Sequence, residues 1–315
     1  MEEVLLRFPH IGYKIFEQIS NISLANCKKV CQFWGTFIAN GKLPWIRLIV
    51  GHIKPLDVSW KKFINTSNLE SLVEMADSIL QYKSFYEIEE LWKNISPLHF
   101  AAFSGKIETI AELIQHGAVL NATDSSNCTP LHYAARMGNV IAYQLIMENN
   151  PDVNPEFGYY SPFHIAARYG HYKICELIMD NISDKNPRNI DDETPLHCAA
   201  MGGHLSICKL IMDKIEIINI SDYNGETPFH LAASKGHLEI CELIINKVVD
   251  KNPCDYFGNT PLHCAAQEGH VDICQLIIDR VENKHPRDHL GFTPLRIAKK
   301  FGHRSIVDLF YENYK

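Results

Sequence analysis

The chain has 315 residues, of which 46% are apolar and 21% charged, a composition that suits a folded globular protein and excludes a disordered one. Thirty Lys and Arg against 37 Asp and Glu leave a net charge of −7, and the basic residues are scattered, which argues against a nucleic-acid partner. No apolar run approaches the roughly 18 residues that cross a bilayer; Met1-Glu2-Glu3 is acidic where a secretory signal is basic, and Glu312-Asn313-Tyr314-Lys315 offers no Cys for prenylation, so the expectation is a cytoplasmic and/or nuclear protein with no membrane partner.

Residues 1–50 read as three short helices. Pro9 opens the first, and Ser23 caps one that extends to about Ala39. At about 100° per residue, Leu24, Cys27, Cys31, Trp34 and Ile38 share one stripe of that helix, with Val30, Phe33 and Phe37 beside it. The two stripes together span roughly 180°, wider than one buried face requires. A unit of this size is close to the lower limit for folding without metal or disulfides. The surplus apolar surface therefore either meets a partner or covers the repeats that follow.

Phe8-Pro9, Ile15-Phe16, Ile19, Ser23-Leu24, Val30-Cys31-Gln32-Phe33-Trp34 and the later Trp45-Ile46-Arg47-Leu48 resemble an F-box. The resemblance implies docking to the Skp-type adaptor of a cullin–RING ubiquitin ligase. It assigns the contact to Phe8, Pro9, Ile15, Ile19, Leu24, Val30, Cys31 and Trp34.

Residues 51–95 predict a helical spacer or a degenerate capping repeat. Ser67-Asn68-Leu69-Glu70 has the capping-box pattern and opens a helix through about Tyr82, and a second helix runs from Glu87 to Lys93.

From residue 96 one tetrapeptide returns seven times: Ser96-Pro97-Leu98-His99, Thr129-Pro130-Leu131-His132, Ser161-Pro162-Phe163-His164, Thr194-Pro195-Leu196-His197, Thr227-Pro228-Phe229-His230, Thr260-Pro261-Leu262-His263 and Thr293-Pro294-Leu295-Arg296. Its prolines are spaced 33, 32, 33, 33, 33 and 33 residues apart. A Ser or Thr hydroxyl can cap the first free N–H groups of a helix, and Pro at the next position forfeits no hydrogen bond. An Ala-Ala pair follows in six repeats and a Gly closes each short helix, from Gly105 to Gly302. A second amphipathic helix comes next, as in Leu238-Glu239-Ile240-Cys241-Glu242-Leu243-Ile244-Ile245, and then a projecting turn such as Asp222-Tyr223-Asn224-Gly225. The one short repeat loses its residue between Asn154 and Ser161, inside a turn. In the last repeat Arg296, Lys299-Lys300 and Glu312-Asn313 make a polar end, as a terminal capping repeat needs.

This unit resembles the ankyrin repeat. The fold expected is all-α: an ankyrin-repeat solenoid of helix–turn–helix units preceded by a small three-helix F-box-like domain. The boundaries are 1–50, 51–95 and 96–315, with seven repeats starting near 96, 129, 161, 194, 227, 260 and 293.

Sixteen His and ten Cys invite a metal-site or nucleophile reading. However, six His belong to the tetrapeptide, and His171, His204, His237, His270 and His303 each follow the closing Gly. Cys175, Cys208, Cys241 and Cys274 share one position of the second helix, and Cys198 and Cys264 share one of the first. Equivalent positions on packed helices are roughly 8–10 Å apart, too far for a disulfide or a common zinc ion. No Gly-rich phosphate loop, G-x-S-x-G or H-E-x-x-H occurs, so no catalytic residue, no metal and no cofactor is expected.

The order of parts suggests the substrate-recognition subunit of a Skp–cullin–F-box ligase, with a protein client held by the repeats. The alternative is a scaffold or inhibitor without a ligase link. By family resemblance the client meets the turn tips and the exposed side of the first helices, through Arg136, Phe157, Tyr159, Tyr160, Arg168, Tyr169, Tyr223, Tyr256 and Phe257. Aromatic and Arg side chains supply most binding hot spots.

Overall fold

A computed structural model describes residues 95–150, 152–156 and 159–313. The helices expected within residues 1–50, those expected between Ser67 and Lys93, and Phe157 lie outside the described residues. The chain divides into two compact units, Met1–Pro130 and Leu131–Lys315.

In the first unit, α1 (Pro97–Ser104) and α2 (Ile107–Gln115) form one helix pair. Leu98, Ala101, Ala102 and Ile110 are wholly buried. The turn that follows is closed by Asp124, whose Oδ1 accepts the N–H groups of Ser126 and Cys128, each at 2.8 Å. An aspartate that answers two backbone donors makes a turn without strand pairing.

α3 (Pro130–Met137) begins at the boundary between the units. The second unit continues with α4 (Val140–Glu148), α5 (Pro162–Tyr169), α6 (Tyr172–Asn181), α7 (Pro195–Gly202), α8 (Leu205–Met212), α9 (Pro228–Lys235), α10 (Leu238–Lys247), α11 (Pro261–Glu268), α12 (Val271–Ile278), α13 (Pro294–Phe301) and α14 (Arg304–Glu312). Among the described residues there are no strands. The fold is an all-α solenoid of repeated helix pairs.

Helices of eight residues do not persist alone, because nucleation is costly and few hydrogen bonds repay it. Packing stabilises them. The first helices α5, α7, α9, α11 and α13 lie side by side in sequence order, and α4, α6, α8, α10, α12 and α14 form the second layer. Ala166, Ala167, Ala199, Ala200, Ala232, Ala233, Ala265 and Ala266 have no exposed surface, which is what permits the close approach of neighbouring first helices. Phe163 and Phe229 are wholly buried, each contributing about 2–3 kcal/mol of apolar burial.

The second layer carries the cysteine ladder. Cys175, Cys208, Cys241 and Cys274 are buried at one recurring position, and Tyr143 fills the equivalent slot of α4. Its hydroxyl donates to the Val153 carbonyl at 2.6 Å, fastening the loop of the short repeat. That repeat keeps its neighbour's logic: Asn154 Oδ1 accepts Phe163 N–H at 3.0 Å across nine residues, and Asn186 Oδ1 accepts Leu196 N–H at 3.2 Å across ten. The missing residue is absorbed between the two bonded groups.

At the C-terminal end the cationic side chains lie on rings. The Arg296 guanidinium is 4.1 Å from the Phe292 centroid, and Lys299 Nζ donates to the Tyr311 hydroxyl at 2.7 Å. The apolar end of the stack is thereby dressed with charge.

Candidate functional site

The recurring histidines set the spacing of the surface. In the first helices, the Nδ1 atoms of His197, His230 and His263 accept the backbone N–H of Thr194, Thr227 and Thr260, each at 3.1 Å. An amide can only donate, so Nδ1 carries no proton and Nε2 does. Nε2 then donates across to the next repeat: His164 to the Glu193 carbonyl, His197 to Glu226, His230 to Asn259 and His263 to Phe292, all at 3.1 Å. Within the first unit His99 makes the same bonds, to Ser96 N–H at 3.1 Å and the Cys128 carbonyl at 3.0 Å.

The cap hydroxyls of Ser96, Thr194, Thr227 and Thr260 meet the backbone N–H of the third helical residue, as a capping box requires, and with Ser161 they also lie 2.8–3.0 Å from the imidazole Nδ1, a partner that the tetrapeptide pattern does not announce. The ring at the third helical position stands where a capping box has Glu, and it satisfies the cap backbone as well. Where Arg296 replaces the ring, Thr293 Oγ1 accepts the Arg296 N–H at 3.3 Å.

The second histidine series points backwards. His171, His204, His237, His270 and His303 hydrogen-bond through Nε2 to the carbonyls of Arg136, Arg168, Met201, Ser234 and Gln267 at 2.8–3.1 Å. These carbonyls end the preceding first helix and have no intrahelical donor. The closing glycine makes room: a Cβ on Gly203 would be 2.6 Å from the His237 ring. The four repeats that start at Ser161, Thr194, Thr227 and Thr260 are thus each bonded forwards by one imidazole and backwards by another.

Burial fixes the chemistry of these groups. It holds His164 and His197 at about 4 and lowers His230 and His263, so the rings are neutral. It pushes Cys208, Cys264 and Cys274 up to about 12 and raises Cys175, Cys198 and Cys241 as well, which denies them thiolate character. Among the described residues no group of three His, Cys, Asp or Glu could hold a metal ion, and no helix is long and apolar enough to cross a membrane.

What faces solvent is a row of turn tips. Asp222, Asp255 and Asp288 each accept two backbone N–H groups of their own turn through Oδ1, at 2.7–2.9 Å, as Asn189 does with Asp191 and Glu193. Adjacent turns are then tied by single backbone bonds: Tyr223 N–H to Asp191, Tyr256 N–H to Asn224 and His289 N–H to Phe257, at 2.8–3.0 Å. Held this way, the tips present Ile190, Tyr223, Tyr256, Phe257 and Leu290 at 71, 70, 67, 64 and 79% exposure.

The residues expected to meet a client fall into separate groups. On the first helices Arg136 pairs with Tyr169, its guanidinium 5.6 Å from the ring centroid, and a separate cluster forms where Arg168 is 5.8 Å from the Tyr160 centroid and the Tyr159 and Tyr160 rings are 5.3 Å apart. Tyr159 donates its hydroxyl to Asp191, which joins this cluster to the tip row. Tyr160 is half-buried, and desolvation followed by Glu193 raises its phenol. Tyr223, Tyr256 and Phe257 stand apart from the cluster, on successive tips.

Two tip residues, Ile190 and Leu290, were not among those expected. Aromatic and Arg side chains guided the expectation, and these are aliphatic. Aligning the turns by the 33-residue period places Ile190 with Tyr223 and Tyr256, and Leu290 with Phe257.

Comparison with known families accords with this geometry. The model of ankyrin repeats in three copies matches residues 163–255 and 247–315, and that of ankyrin repeats in many copies matches residues 98–146. No F-box family model matches. No curated protein matches the chain. The matched models, the returning helix pairs and the bonded turn tips together make this chain a member of the ankyrin-repeat family, a protein-interaction solenoid.

Proposed function

We propose that this chain is the substrate-recognition subunit of a Skp–cullin–F-box ubiquitin ligase: residues 1–50 dock the Skp-type adaptor, and the repeats hold a client protein. The observation that carries the client half is the row of exposed apolar side chains on turns held by aspartate or asparagine caps and by backbone bonds between neighbouring turns. Such turns offer rigid side-chain contacts with little ordering cost. The adaptor half is supported by the pattern Phe8-Pro9, Ile15, Ile19, Leu24 and Val30-Cys31-Gln32-Phe33-Trp34.

The mechanism is proximity. A client held on the solenoid sits near a ubiquitin-charged enzyme brought by the cullin, which raises the effective concentration of its lysines. In this reading the repeats bind and do not react, in keeping with the neutral imidazoles of His164 and His197 and the protonated thiols of Cys208 and Cys274 among the described residues. The setting for this role is the cytoplasm or nucleus.

The test is retention of purified Skp-type adaptor by the full chain, compared with the Pro9→Ala, Val30→Ala, Trp34→Ala triple variant. Retention that the triple variant loses is the expected result. No retention, or equal retention by both, would leave the second reading, a scaffold or inhibitor without a ligase link. That reading is favoured by one observation: the family match begins at residue 98.

A further inference from the structure

Resting on the client-binding reading above, we propose that the partner lays an extended, basic segment along the turn tips from Ile190 to Leu290, with an apolar side chain at about every third residue.

The tips supply the geometry. Each of the four turns shows an apolar side chain to solvent, and backbone bonds from Tyr223 to Asp191, Tyr256 to Asn224 and His289 to Phe257 fix one turn against the next. The step between repeats is that between packed first helices, about 8–10 Å. An extended chain rises about 3.3 Å per residue, so three residues span one repeat. A helix rises about 1.5 Å per residue and would need six or seven.

Charge selects the partner's sign. Residues 188–193, 221–226, 254–259 and 287–292 contain seven carboxylates and two arginines, a net of −5 within a chain whose total is −7. Both arginines are engaged by the turns themselves: Arg188 with Asp192 at 3.2 Å and the Ser221 carbonyl at 3.0 Å, and Arg287 with the Gly291 carbonyl at 3.1 Å. Glu226 is held above the usual carboxylate range, first by desolvation and then by Asp222, Asp255 and Glu193, a sign of crowded negative charge. Lysine or arginine side chains between the apolar ones would relieve that crowding. An anionic membrane or a nucleic acid would add to it.

The test is selection of random peptides of about 12 residues, displayed on phage, against the full chain and against the Tyr223→Ser, Tyr256→Ser, Leu290→Ser triple variant. All three positions are exposed, and circular dichroism checks that the variant folds. The expected winners carry Lys or Arg with apolar residues three apart, bind the variant roughly tenfold more weakly, and lose affinity as salt rises. No enrichment, acidic winners, the three–four spacing of a helix, or equal binding to the variant each overturn the inference. The adaptor experiment is separate: no adaptor retention by the full chain, together with period-three basic winners, removes the ligase reading alone, and retention that the Pro9, Val30 and Trp34 variant loses, without such winners, removes this one alone.

Discussion

His197 Nε2 donates to the Glu226 carbonyl at 3.1 Å, 29 residues further along the chain, while its Nδ1 accepts the Thr194 N–H. One buried ring thus closes a helix start and joins two repeats. His197→Ala removes the acceptor for a buried amide and the donor for a carbonyl, and leaves a cavity. The expected loss is about 2–4 kcal/mol, read as a lower urea midpoint. An unchanged midpoint would show that the inter-repeat bond contributes nothing.

Acid should weaken the stack through the same rings. His164 and His197 are held at about 4 by burial, against about 6.5 for the unfolded imidazole, so between these values the unfolded chain binds protons that the native one cannot. Stability is complete above about pH 6.5 and falls as the pH drops towards 4, by roughly 2 kcal/mol per ring at pH 5. Asp222 and Glu226, both raised, act in the opposite sense and offset part of the loss. Urea midpoints at neutral pH and near pH 5 measure the net effect, and His197→Ala should show a smaller difference than the parent chain.

Two glycines separate backbone strain from crowding. Gly203 and Gly291 have φ of +79° and +77°, but only Gly203 faces a ring where its Cβ would sit. Gly291→Ala meets the left-handed penalty alone, about 1 kcal/mol, whereas Gly203→Ala must also displace His237 and should cost roughly 2 kcal/mol or more. Thermal unfolding of the two variants reads the difference. Equal losses would mean that the His237 ring moves aside freely.

How much of this was legible in the sequence follows the range of the forces involved. Pro97 through Pro294 mark helix starts and Gly105 through Gly302 mark ends because those residues act on their own backbone, and the structure places helix boundaries there. The period also assigned the histidines to the scaffold. It did not supply their partners, since bonds such as His197 to Glu226 and His237 to Met201 join residues 29 and 36 apart. Counting from the closing Gly puts Tyr143 in the ladder position too, but its burial there and its bond to the Val153 carbonyl come from the packed structure. The tip surface was read in part: Tyr223, Tyr256 and Phe257 stood out by type, while Ile190 and Leu290 needed alignment of one turn on another.

Thiol labelling distinguishes a packing ladder from reactive cysteines. Cys254 is exposed, whereas Cys175, Cys208, Cys241 and Cys274 are buried, and desolvation keeps their thiols protonated. A thiolate is the reacting species, so both access and ionisation favour Cys254, even though burial and Asp250 raise it modestly. In native buffer, maleimide followed by peptide mapping should mark Cys254 within minutes and the ladder only as repeats open, on the timescale of local unfolding. Addition of urea should bring the ladder cysteines in together, because their helices share one packed layer. Rapid native labelling of Cys208 or Cys241 would overturn the structural role and revive a nucleophile reading.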